Sequence, residues 1–173
     1  MGERETASAG FMLRDAAATR LFGAALAQRL WPGAVVALHG RVGAGKTTLV
    51  QGIAAGLGID EPAGSPTFVL ATEYSGGRLP LYHIDLYRLD ARAAGELDMF
   101  DEYLFAAGIC VVEWAEFIEA ALPAERIAIR LEDAEASLAA PDFYASAGRR
   151  ALLFAYGSAA DDAARKLVWP WPS

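Results

Sequence analysis

Lysine is nearly missing from this chain of 173 residues: the 15 basic side chains include only Lys46 and Lys166, set against 22 acids for a net charge of −7. A chain that wraps nucleic acid shows basic clusters, and this balance argues against one. Cysteine is reduced to Cys110, which excludes disulfides within the chain and a cysteine-rich zinc site. No apolar run reaches the roughly 18–20 residues of a membrane span. The opening Met1-Gly2-Glu3-Arg4-Glu5-Thr6 lacks the apolar core of a signal peptide. The expectation is a cytoplasmic protein without a membrane role. What is plentiful is apolar: 54% of the residues are hydrophobic and 21% charged, enough for a real core and too much for disorder as the main state. The length suits one domain, 1–173, with 1–10 and 158–173 expected as loosely ordered tails.

The acid is unevenly placed. Between Arg92 and Arg126 lie Glu96, Asp98, Asp101, Glu102, Glu113, Glu116, Glu119 and Glu125 with no Lys or Arg among them, so the rest of the chain is near neutral. Most of this block reads as a solvated face. Glu113 reads differently, because it ends an apolar strand.

Hydrophobic periodicity orders the chain. Asp15 can cap a helix over about 16–30, stopped by Trp31-Pro32-Gly33. Residues 34–38 (Ala-Val-Val-Ala-Leu) form a short continuous apolar run, as in a strand buried on both faces. A glycine-rich turn follows, then a helix over about 46–56 that Gly58 can close. Apolar runs at 68–74 and 79–86 flank Ser75-Gly76-Gly77-Arg78 and predict an antiparallel hairpin. Residues 93–106 and 116–122 read as helices, and 109–112, 127–131 and 151–155 as strands. The fold class is α/β: a central parallel sheet flanked by helices, with antiparallel strands added at the edges.

Gly40-Arg41-Val42-Gly43-Ala44-Gly45-Lys46-Thr47 fits G-x-x-x-x-G-K-[ST] at every fixed position. Glycines let such a loop curl until its N–H groups face phosphate oxygens, and the following helix adds free amides and a positive dipole end. Lys46 supplies a point charge for β- and γ-phosphates, the Thr47 hydroxyl a ligand for Mg²⁺, and Thr48 a further phosphate donor. A carboxylate near that metal is needed at the end of a neighbouring strand. Asp85, after Leu81-Tyr82-His83-Ile84, and Glu113, after 109–112, both qualify, and composition does not rank them. Glu113 has the further reading of an acid that polarises the attacking water. Ser65-Pro66-Thr67-Phe68 occupies the place of a switch segment, whose Thr67 would reach the γ-phosphate. His83 reads as a packed strand histidine rather than a base, and Trp114 as core or a wall of the nucleotide pocket.

Three separated stretches resemble the TsaE (YjeE) family: Gly40–Val50, Ser65-Pro66-Thr67-Phe68 with Glu73-Tyr74, and Tyr82-His83-Ile84-Asp85-Leu86-Tyr87-Arg88-Leu89, with Val112-Glu113-Trp114 fitting as well. The resemblance covers about 11–156. It implies a slow ATPase that uses ATP and Mg²⁺ in making N6-threonylcarbamoyladenosine at position 37 of tRNAs reading codons that start with A. The chain would act through a TsaB-TsaD-type partner complex and would not itself bind tRNA strongly. By the resemblance, Lys46 and Thr47 are phosphate and Mg²⁺ contacts, Asp85 and Glu113 the acids at the metal, and Thr67 a switch residue. The chain departs from the family's usual Gly-Asp-Leu-Gly at Arg41-Val42, which adds a cation beside the loop, and from Glu-Trp-Pro-Glu at Ala115. The alternatives are a small-molecule or nucleotide kinase and a non-catalytic ATP-binding switch. A kinase lid needs several arginines, and between the loop and residue 126 there are only Arg78, Arg88 and Arg92.

Overall fold

The chain was analysed as a computed structural model that describes residues 7–64, 71–87, 100–134 and 148–169. Its centre is the apolar strand β2 (Val35–His39), buried along its first four residues. Strands β5 (Ile109–Glu113) and β6 (Arg126–Asp133) flank it in parallel, and β4 (Leu81–Asp85) pairs in parallel with β5. Antiparallel strands complete both sides: β3 (Ala71–Tyr74) on β4, then β7 (Arg149–Tyr156) on β6 and β1 (Ala9–Leu13) on β7. The order is β1-β7-β6-β2-β5-β4-β3, a parallel centre with antiparallel edges as expected.

Alternation along the strands builds two cores. Val36, Leu38, Val111 and Ile129 pack under α1 (Ala16–Ala27) and α2 (Lys46–Leu57) through Phe22, Leu26, Leu49 and Ile53. On the other face Val35, Ala37 and Val112 meet Phe100, Leu104, Ile118 and Leu122. Leu104 ends the short α3 (Asp101–Leu104). Asp15 caps α1 as predicted, its Oδ1 accepting from Ala18 N at 2.7 Å. Helix α1 ends at Ala27 rather than near 30, where the chain tightens to Arg29 N→Leu26 O and Leu30 N→Ala27 O bonds, and the Arg78 guanidinium donates to the carbonyls of Ala27 at 2.7 Å and Leu30 at 3.2 Å.

Helices α1 and α2 touch backbone to backbone. A Cβ on Gly52 would lie 2.2 Å from Arg20 O, and one on Gly56 2.6 Å from Ala24 O. These glycines, one turn apart on α2, let the helix sit where its N-terminus faces the C-terminal ends of β2 and β5.

Two expectations are corrected. The segment 1–10 expected as a loose N-terminal tail already includes the start of β1 at Ala9 and Gly10, and the strand runs on through Phe11 and Leu13, which pack in the core; small residues ahead of Phe11 hide the pattern. The segment expected as a loose C-terminal tail contains α4 (Ser158–Lys166), which buries Ala160 and Ala163. Its buried stripe is made of alanines set opposite Asp161, Arg165 and Lys166, an amphipathic pattern present in the sequence but without large apolar side chains to mark it. Glu125 Oε1 accepts from Ala159 N at 2.8 Å, serving as a distant cap. Trp169 then packs edge-on against Phe22, with ring centroids 5.4 Å apart, and donates to Met12 O at 3.2 Å. The helix predicted at 116–122 is a 3₁₀ segment, Ala115–Ala121, kinked at Ile118. Residues 1–6, 65–70, 88–99, 135–147 and 170–173 lie outside the described set, and with them most of the helix predicted over 93–106. No helix of the described residues is long and apolar enough to cross a membrane.

Replacing Gly52 by Ala forces α1 and α2 apart and should cost about 1–3 kcal/mol, an overpacking penalty, measured by urea unfolding; an unchanged midpoint would contradict the close packing. Cys110 is 1% exposed on β5, and burial pushes its thiol up to about 12. Only the thiolate is nucleophilic, so iodoacetamide should label Cys110 in guanidinium and leave the native protein unlabelled.

Candidate functional site

The turn between β2 and α2 has the conformation its glycines predict. Gly40, Gly43 and Gly45 take φ of 143°, 77° and 101°. At Gly40 a Cβ would stand 2.7 Å from Leu131 O, so the loop could not pass β6 with any larger residue there. Gly45 is the N-cap of α2 and offers no side-chain cap. The first amides of the helix are therefore left for a ligand, in the position where an anion is bound by backbone N–H and dipole together.

Buried polar side chains mark the place the loop faces. Among the described residues they are Thr19, Lys46, His83 and Glu113. Thr19 is accounted for inside α1, donating to Asp15 O at 3.0 Å. The other three converge. Glu113, 3% exposed at the end of β5, accepts from Thr47 Oγ1 at 2.9 Å (Oε1) and 3.2 Å (Oε2). His83 Nε2 lies 2.9 Å from Glu113 Oε1. The β4–β5 register sets Asp85 directly beside Glu113, so both acids project from neighbouring strand ends. Asp85 Oδ1 also accepts from Tyr87 N at 3.0 Å, which holds the carboxylate at the mouth.

Lys46 folds back over the loop. Its Nζ donates to Gly40 O at 2.6 Å and Arg41 O at 3.0 Å, and lies 3.8 Å from the centroid of the Trp114 ring. Burial lowers the pKa of this ammonium, while Glu113, Glu116 and Asp85 pull it back up. A cation so desolvated gains strongly from an arriving phosphate. Trp114 is the one non-glycine described residue at positive φ, 61°. That left-handed turn, uncommon for a bulky residue, swings the ring away from β5 and onto Lys46. Tyr87 packs on the ring's far side at 5.1 Å and Phe117 at 6.4 Å. The resulting cavity, about 300 Å³, is lined by Val42 to Thr48, Asp85, Tyr87, Glu113 and Trp114.

The donors suit Mg²⁺. Among the described residues no group of three or more His, Cys, Asp or Glu could cage an ion. A hydroxyl and two adjacent carboxylates beside a phosphate cradle match a metal that keeps waters and takes ligand oxygens.

The family model "Threonylcarbamoyl adenosine biosynthesis protein TsaE" matches residues 13–140. The chain belongs to the TsaE family. It is 48% identical over 103 residues to the tRNA threonylcarbamoyladenosine biosynthesis protein TsaE of Bacillus subtilis, covering 60% of this chain and 64% of that one. The TsaE protein of Nostoc sp. is 46% identical over 107 residues, 60% of this chain and 66% of its own length. That of Treponema pallidum is 43% identical over 122 residues, 68% and 87% of the two chains. The chain thus spans about two thirds of the length of the first two relatives. The crystal structure of Bacillus subtilis YdiB superposes with a TM-score of 0.75 at 33% identity, over 91% of this chain and 92% of that one.

Within this TsaE-family chain, Val42 to Thr48, Asp85, Glu113 and Trp114 meet around one cavity; Gly40 and Arg41 line a neighbouring one with His39, Glu116 and Asp133, and Thr67 lies outside the described residues. The unusual Arg41 forms an ion pair with Asp133, whose Oδ1 also holds Arg149 Nη1 at 3.1 Å. Arg149 Nη2 reaches Gly43 O at 3.4 Å, so the loop is tied to the β6–β7 hairpin. The solvated-face reading holds for Glu116, Glu119 and Glu125, which are exposed and still find partners: Glu116 lies 3.2 Å from His39, Glu119 pairs with Arg126 at 2.9 Å, and Glu125 caps α4, whereas Glu113, set apart already in the sequence, is buried. The His83–Glu113 contact was missed at the level of sequence. Its signal was there: residues 83 and 85 share one face of β4, as 111 and 113 do on β5.

Lys46→Ala removes the ammonium that sits over the loop, between the Gly40 carbonyl and the Trp114 ring. Charge-assisted hydrogen bonds are worth about 1.5–3 kcal/mol, so nucleotide affinity in calorimetry should fall roughly tenfold to a hundredfold; undiminished affinity would contradict the assignment.

Proposed function

We propose that the chain is a Mg²⁺-dependent ATPase that acts in forming the N6-threonylcarbamoyl group on adenosine 37 of tRNAs reading codons that start with A. In this reading, ATP hydrolysis controls a TsaB-TsaD-type partner complex, and tRNA is handled by those partners. The observation that carries the reading is the bond between the Thr47 hydroxyl and the buried Glu113 carboxylate at the mouth of a phosphate loop. It joins a ligand-sensing hydroxyl to an acid with no other evident use. The relatives, tRNA threonylcarbamoyladenosine biosynthesis proteins, support the tRNA pathway. A net charge of −7 with two lysines supports partners, rather than this chain, as the tRNA-binding surface.

The residues divide the work. Backbone amides from Gly43 to Thr48 hold the β- and γ-phosphates, and Lys46 leaves its loop carbonyls to neutralise them. Thr47 and Asp85 would hold Mg²⁺, which would supply positive charge to offset that developing on the leaving phosphate. Glu113 accepts the proton of the attacking water. Trp114 shields the cavity and keeps Lys46 in reach. The kinase alternative is weakened because Arg78, one of three arginines available for a lid, is committed to the end of α1.

Glu113→Gln keeps the shape and removes the base. It should leave nucleotide binding near wild type and slow hydrolysis by about 10²–10⁴-fold, the usual worth of general base catalysis. Equal turnover in the variant would remove Glu113 from the mechanism. Tight binding without turnover in the wild type would favour the non-catalytic switch.

A further inference from the structure

His83 is 0% exposed on β4, a polar ring paired in register with Thr72 on one side and Val111 on the other. The register pairs His83 with Val111 and Asp85 with Glu113, so the ring lies one pleat below the carboxylate and reaches it diagonally. A carboxylate oxygen only accepts, so the ring proton is on Nε2 and is donated to Glu113 Oε1 across 2.9 Å. Nδ1 has no hydrogen-bond partner among the described residues. An apolar side chain would fill this position without that penalty. The imidazole gains one thing over it, a rigid donor aimed at Glu113.

Among the described residues Glu113 has two side-chain donors, Thr47 and His83. Thr47 is also the residue the phosphate loop commits to the ligand. When its hydroxyl turns to that task, His83 is the partner that remains, and it comes from a strand interior that ligand binding does not touch.

We propose that His83 is a positioning residue whose Nε2–H holds Glu113 in one orientation while Thr47 exchanges the carboxylate for the ligand. The inference rests on the reading of Glu113 as the water-activating acid. His83 does not touch the nucleotide. Its loss misaligns Glu113 and slows the chemical step, with little change in nucleotide affinity.

The test compares full-length wild type, His83→Leu and His83→Gln. Gln places its amide nitrogen near the Nε2 position, and Leu fills the space without a donor. Partners that orient an active group are commonly worth about 10–100-fold in activity. His83→Leu should therefore lose kcat on that scale at near-constant KM, the mark of an interaction used in the transition state, and His83→Gln should recover most of it. Unchanged kcat in His83→Leu, or equal loss in both variants alongside lowered thermal stability, would overturn the inference and leave the ATPase reading intact. A wild type that hydrolyses no ATP would sink that reading instead. A second readout needs neither activity nor a His83 variant. Nitrogen-15 NMR of the wild type should find the ring proton on Nε2 with a slowly exchanging signal that moves in Glu113→Gln. A proton on Nδ1, or a signal indifferent to Glu113, would also overturn it.

Discussion

A carboxylate with 3% of its surface exposed governs this structure. An unpaired buried charge costs several kcal/mol or more, so Glu113 constrains whatever surrounds it. Thr47 from α2 and His83 from β4 meet the demand by converging on the same side chain. The phosphate loop is thereby tied to two strands that come later in the chain. Any group that draws Thr47 away changes the environment of Glu113, which links ligand occupancy to the acid without a large motion.

Packing makes the convergence possible. Gly52 and Gly56 let α2 lie against α1 with backbones in contact, which brings the helix N-terminus over the ends of β2 and β5. Immediately after Glu113 the chain takes a left-handed turn at Trp114. That turn, worth on the order of 1–3 kcal/mol of local strain, places the indole over Lys46 at 3.8 Å. Two consecutive residues thus serve different purposes: Glu113 anchors the Thr47 hydroxyl, and Trp114 packs on the Lys46 ammonium.

Much of this was legible in the sequence. The apolar run of β2, the glycines at 40, 43 and 45 and the Asp15 cap each act locally, and local rules place them. The parallel centre followed from apolar strands separated by helices. Legibility failed where the cause is distant. Helix α4 rests on alanines and on a cap from Glu125, 34 positions away. The end of α1 is met by Arg78, which arrives from the β3–β4 hairpin. The acids at 113, 116, 119 and 125 look alike in a charge count; the end of an apolar strand sets Glu113 apart, and only the tertiary structure gives the others their partners. His83 looked like packing because its neighbour in space, Glu113, stands 30 positions off.

The central claim is that one buried acid and one helix-opening hydroxyl form the reactive end of a phosphate site. The most direct measurement is a crystal structure of the chain with Mg²⁺ and a non-hydrolysable ATP analogue. The account predicts the β- and γ-phosphates on the amides of Gly43 to Thr48, Lys46 swung from the Gly40 carbonyl to the phosphates, and the metal between Thr47 and the Asp85–Glu113 pair, with His83 still on Glu113. Phosphates bound elsewhere, or Lys46 still on its loop carbonyls with the analogue in place, would contradict it.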